Sequence, residues 1–188
     1  MKRNKLFPMA GLACLLLAGC EIYSPLALQP LFDDDILLFN PTLLGTWQEE
    51  GRTTKVRFEV YEDSKVYRIK VLDEEPVLAF EGRLGQIGGW NFLDLRLEEA
   101  ADCQIPGHFF CRLEIDGDVL RMYGVKENWL RERVVEQGLL PYVRAGKVDR
   151  GRLVVITASP IDLQLFFVRY GGDPEAYDSV QEFHRVRE

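Results

Sequence analysis

"KVRFEVYEDSKVYRIKV", residues 55–71, decides the fold. Val56, Phe58 and Val60 alternate with Lys55, Arg57 and Glu59; after Glu62-Asp63-Ser64, Tyr67, Ile69 and Val71 alternate with Arg68 and Lys70. A period of two with a polar break marks adjacent strands, each with one apolar face. The same signature runs outward. Leu78, Phe80 and Leu84 come from "VLAFEGRL", and Leu93, Leu95 and Leu97 from "NFLDLRL". Phe109, Cys111, Leu113 and Ile115 come from "FFCRLEI", and "VLRMYGV" follows. Asp73-Glu74-Glu75-Pro76, Gly88-Gly89 and Asp116-Gly117-Asp118 supply the turns. Connections this short predict an up-and-down antiparallel meander, one face buried and one wet.

Two helices interrupt the pattern. "KENWLRERVVEQG" puts Trp129, Leu130, Val134 and Val135 on one side, which predicts a helix over about 127–138 stopped by Gly138. "SPIDLQLFFVRYGG" offers Ser159 as N-cap and Pro160 at the first helical position, which predicts a helix over 159–170. One more strand, "RLVVITA", lies between them, and "QEFHRVR" closes the chain. The count is eight or nine strands in a mainly β chain. A meander of this size has edges, and closure into a barrel removes them.

The N-terminus has a different character. Lys2, Arg3 and Lys5 precede an apolar run from Leu6 to Leu17. That run is shorter than the roughly 20 residues of a membrane span and fits a secretory signal. It ends in Leu17-Ala18-Gly19-Cys20, which resembles the lipobox of bacterial lipoproteins. The resemblance implies removal of residues 1–19, diacylglycerol transfer to the Cys20 thiol and acylation of the new N-terminus. Two or more acyl chains hold a protein stably on a membrane. Glu21, where Asp would mark retention in the inner membrane, implies an outer-membrane address facing the periplasm. Residues 20–38, with two prolines and no clean period, read as the lipidated tether, and 39–188 as one domain. The tether is too apolar for a freely solvated linker, so part of it is expected to lie on the domain.

Cleavage removes three basic residues and no acidic one. The remaining 188 − 19 = 169 residues carry 23 − 3 = 20 basic and 30 acidic side chains, a net charge of −10. Such a surface disfavours nucleic acid and anionic headgroups.

"LLGTWQ", residues 43–48, puts Gly45 and Trp47 at G-x-W spacing on the first strand, after a short helix at 41–44. This resembles the opening of lipocalins and other calycins. The resemblance implies an eight- to nine-stranded barrel in which Trp47 packs across the closed end. A basic residue near the chain end, Arg185 or Arg187, would lie over it. The mid-chain T-D-Y motif of that family is absent, and the helix at 127–138 is additional. The whole chain is similar to small Gram-negative lipoproteins with a lipocalin-like domain.

Cys103 and Cys111 are an even pair in an exported domain, read as a disulfide closing a nine-residue loop, worth roughly 2–3 kcal/mol. The alternative is two buried free thiols, since Cys111 sits in an apolar strand pattern. No CxxC occurs and the chain has two His, so no metal site or cofactor is expected. There is no G-x-S-x-G, P-loop, G-x-G-x-x-G or H-E-x-x-H, so no catalytic residues are assigned and no enzyme is expected. His108 and His184 could each act as a base in principle but read as surface or strand residues without a partner. Asp94 is the most suggestive carboxylate and reads as the outward residue of its strand. Asp33-Asp34-Asp35 could suggest calcium but, with no EF-hand spacing after it, reads as a solvated turn or helix start.

Two non-catalytic functions follow. In the first, the barrel binds an apolar small molecule or acyl chain against Phe58, Tyr67, Ile69, Phe80, Leu95 and Leu113. In the second, the barrel is filled and an outer surface docks an envelope protein partner, with Trp90, Phe92 and Phe110 as the exposed patch.

Overall fold

A computed structural model describes residues 26–62, 64–73, 77–98, 107–148, 151–178 and 180–187. The signal segment, Cys20 and Cys103 lie outside the described residues.

Eight strands close a barrel. They are β2 (Gly45–Glu49), β3 (Lys55–Val60), β4 (Tyr67–Val71), β5 (Leu78–Ile87), β6 (Trp90–Leu97), β7 (His108–Asp116), β8 (Val119–Gly124) and β11 (Gln181–Arg185). Seven form a continuous meander, each antiparallel to its predecessor. β11 then pairs with β8 on one side and with β2 on the other, closing the ring. The register sends the apolar sets of the sequence pattern to the inner face, with Val60 at the end of β3 left exposed. Val56 faces Val71 in its pair, and Phe58 faces Ile69. Tyr67 is opposite Gly82, where a Cβ would stand 2.5 Å from the Ile69 side chain. A glycine here makes room for Ile69 and Leu93 on the two neighbouring strands.

The remaining strands lie outside the ring. β9 (Tyr142–Val148) and β10 (Gly151–Ile156) form an antiparallel hairpin, and β1 (Leu26–Ala27) joins β10 in parallel and β7 by one antiparallel pair. The sequence pattern indicates β10 but not β9 or β1. Tyr142 to Val148 lacks a clean apolar alternation, and two residues are too few to show a period.

Both helices are present. α1 (Glu127–Arg131) continues as a π-helical turn over Glu132–Glu136, and Gly138 ends it with φ +64°. α2 (Pro160–Tyr170) is capped by Ser159, whose hydroxyl accepts the Asp162 N–H at 3.3 Å. No described helix is long and apolar enough to cross a membrane.

The core has two principal compartments separated by the barrel wall. One is the barrel interior; the other, outside, joins the helices to the wall and includes Phe92, Phe110, Trp129, Phe166, Phe167 and Tyr177. The segment from Leu26 to Leu38, within the apolar tether, packs onto the wall. Leu26, Leu31, Phe32 and Leu37 are buried, and the Phe32 ring occupies the space a Cβ on Gly85 would need. The folded unit therefore begins earlier than residue 39.

Candidate functional site

The barrel interior is built by side chains at alternate positions of the eight strands. Phe58, Tyr67, Ile69, Phe80, Leu95 and Leu113 all point into it and are buried together with Trp47, Leu93, Leu120 and Phe183. Their rings pack on one another: Phe58 meets Tyr67 edge to face at 6.1 Å. The Tyr67 hydroxyl accepts the Asn40 N–H at 2.6 Å, and burial raises its pKa above the usual phenol value. At the level of these residues the space is occupied by protein, as in other small barrels.

One end of the barrel is sealed from outside its strands. A single 3₁₀ turn over Pro41–Leu43, capped by Asn40, precedes β2. Trp47 is fully buried under it and donates its indole N–H to the Leu43 carbonyl at 2.8 Å. The Arg185 guanidinium lies over the indole, 4.2 Å from the ring centroid. It also donates to the carbonyls of Thr42 and Leu44 and to Asp118. Gly45 has φ +114°, and a Cβ there would stand 3.1 Å from Arg185 Nη1. Backbone conformation and proximity both call for glycine. Of the two arginines considered from sequence, Arg185 is the one over Trp47; Arg187 pairs with Asp118.

The opposite end is lined differently. Leu78, Leu97 and Phe109 are partly covered. Glu49 points inward there, is buried, and has one oxygen 3.4 Å from Arg52 Nε. Among the described residues its Oε2 has no hydrogen-bond partner. Burial raises the Glu49 carboxyl above its ordinary pKa, and the Arg52 charge offsets part of that rise.

Three expectations are corrected. First, Cys111 is a free thiol, not half of a disulfide with Cys103. Its position in β7 turns it into the barrel core, where its Sγ lies 3.7 Å from the Leu93 carbonyl oxygen. Burial, with the nearby Asp94 charge, pushes its pKa up to about 12. Second, Phe92 and Phe110 do not form an exposed patch. They do point out of the barrel, but α2 covers them, with Phe167 packed on Phe92 at 5.0 Å and on Phe110 at 5.5 Å. Trp90 is partly exposed and holds Arg112 over its ring at 4.5 Å; Tyr123 and Tyr177 complete the cage around that guanidinium.

Third, Asp94 and His108 are neither exposed nor unpartnered. Asp94 points outward from the barrel, yet the N-terminal segment crosses over it and leaves it 1% exposed, with His108 at 8%. Asp94 Oδ1 is 2.8 Å from His108 Nδ1, and Asp94 Oδ2 accepts the Leu31 N–H at 2.8 Å. Facing a carboxylate, the ring nitrogen is the donor. Asp–His pairing also orients general bases, but here residues 26–38, a strap across the outer wall that includes β1, cover both residues. The geometry serves to hold its first part, residues 26–32, on the wall. Gln164 of α2 adds a bond from its amide to the Leu31 carbonyl at 2.9 Å. The pair was illegible in sequence because its members are 14 positions apart and only strand register joins them.

A polar depression lies on the outer wall beside the β2–β3 turn, lined by Gln48, Glu50, Arg52, His184 and Val186. Glu50, Glu182 and His184 bring one ligand atom each within 4.8 Å of one another there. Glu182 is also paired with Arg121 at 2.7 Å.

The fold is thus a closed eight-stranded antiparallel up-and-down β-barrel, with one end capped by Trp47 and Arg185 and with an outer layer of two helices and a hairpin. No family model matches the chain, and neither a curated relative nor a solved structure matches it.

Proposed function

We propose that this protein is a membrane-anchored envelope lipoprotein with a lipocalin-like barrel, held through Cys20 at the outer membrane facing the periplasm. In this reading its barrel is a packed scaffold and its outer surface docks an envelope protein; it is not an enzyme. The supporting observation is the barrel interior. Trp47, Phe58, Tyr67, Leu93, Leu113, Leu120 and Phe183 are each at most 2% exposed and pack against one another, so the fold's central space is spent on stability.

A second reading, binding of an apolar small molecule or acyl chain, draws support from the end opposite Trp47. Leu78, Leu97 and Phe109 form an apolar rim there, where a ligand would enter. Native mass spectrometry of the protein purified from its own envelope tests both. A retained protein partner supports the docking reading, and a retained small-molecule or lipid mass supports the binding reading. Cys20→Ala tests the anchor: the variant should accumulate as precursor and take up no labelled palmitate.

A further inference from the structure

α2 buries Leu163, Phe166 and Phe167 against the barrel wall, as a surface helix should. Its other side is apolar too. Ile161, Leu165 and Val168 are 61%, 60% and 59% exposed. Their spacing of four and three residues sets them in one stripe along the helix. Single exposed apolar residues need no explanation, but a contiguous row does. The stripe ends against the β5–β6 turn, where Gly88 lies beside the Val168 backbone and the partly exposed Trp90 follows.

We infer that this stripe docks on the lipid surface to which Cys20 would be anchored; the inference rests on the lipoprotein reading. Six residue steps separate Cys20 from Leu26, a reach of at most about 20 Å when fully extended. Leu26 is fixed on the domain by its pairing with Val155. α2 begins five residues after Val155, and its Gln164 grips the strap at Leu31. β1 and β10 run parallel, so the tether leaves Leu26 toward the start of β10 and α2 follows its end, at most about 17 Å from Val155. A tether this short keeps Leu26 within about 20 Å of its anchor and leaves the α2 face within reach of the same bilayer. Tryptophan beside an apolar helix face suits the boundary between headgroups and acyl chains. A second copy is the poorer occupant: three side chains expose a few hundred Å², against the ~800 Å² per partner of a standard interface. The net charge of −10 after cleavage, 20 basic against 30 acidic side chains, gives no attraction to anionic lipid. The contact rests on apolar side chains and is insensitive to salt.

The test uses the full chain, matured in its own envelope and reconstituted in vesicles of phosphatidylethanolamine and phosphatidylglycerol carrying a photoactivatable acyl chain. Trypsin releases the stripe in one peptide, 153–169. Lipid adducts on that peptide, at a yield unchanged by added salt, are expected. Leu165→Ser with Val168→Ser should lower them several-fold without changing adducts near the N-terminus. These positions are exposed, so folding is retained, and circular dichroism of the variant checks it. An acylated Cys20 with no adduct on 153–169 overturns the docking and leaves the anchor standing. A dimer mass in native mass spectrometry of the reconstituted protein, with no lipid adduct on 153–169, overturns it in favour of self-association. An unacylated Cys20 overturns the anchor, and the docking with it.

Discussion

Arg185 lies 4.2 Å over the Trp47 ring while its guanidinium also ties the Thr42 and Leu44 carbonyls to the last strand. One side chain thereby joins β11, β2 and the 3₁₀ turn before β2, the three segments that must meet for the barrel to close. Trp47→Ala should cost about 3–5 kcal/mol in equilibrium denaturation, from lost transfer energy plus a cavity. Arg185→Ala should cost about 2 kcal/mol through the cation–π contact and the orphaned carbonyls. Arg185→Lys should recover less than half of it, because an ammonium does not bridge two carbonyls in a plane.

Asp94 holds the strap, so its loss should free that segment. Asp94→Ala leaves the Leu31 N–H and the His108 ring N–H buried without an acceptor. A cost of about 2–4 kcal/mol is expected. Limited proteolysis should cut within residues 28–38 in the variant, at protease levels that leave the wild type intact. A variant with wild-type stability and an unchanged digest would refute the anchoring role.

Glu49 gives a pH signature. Its folded pKa is raised above the ordinary value of 4.5, so the folded state binds its proton more tightly than the unfolded chain does. The stability linked to this group is fully present below pH 4.5 and is lost as pH rises through the folded value. Glu49→Gln removes the dependence. The variant should be more stable than the wild type at pH 7, by up to about 1 kcal/mol, and the gap should close toward pH 4. Denaturant titrations at the two pH values measure it.

Cys111 should be inert in the folded protein. With its thiol buried and its pKa near 12, alkylating reagents at pH 8 should modify it only after denaturant is added, as peptide mapping would show. Modification at the rate of a free exposed thiol would contradict its place in the barrel core.

The period-two pattern by itself determined the strands of the meander and the inward set from Val56 to Leu113. This follows because strand periodicity is local: residues two apart share a face whatever the rest of the chain does. Ser159-Pro160 and Gly138 fixed helix ends for the same reason, through short-range hydrogen bonds and backbone freedom. What lies on the outer wall was decided by tertiary structure alone, as was the pairing of the last strand with both β2 and β8. Phe92, Phe110 and Asp94 point away from the barrel as the alternation requires, and alternation equates outward with wet. Here α2 and residues 26–38 fold over that outer face, so outward residues became a second core, and Asp94 gained two buried hydrogen bonds. The free Cys111 is the converse case. Its inward register was readable from the strand, but a sequence separation of only eight positions from Cys103 suggested a loop closure that the buried free thiol does not make. Distance along the chain carries no information about which side of a wall a side chain faces; the pairing of strands does.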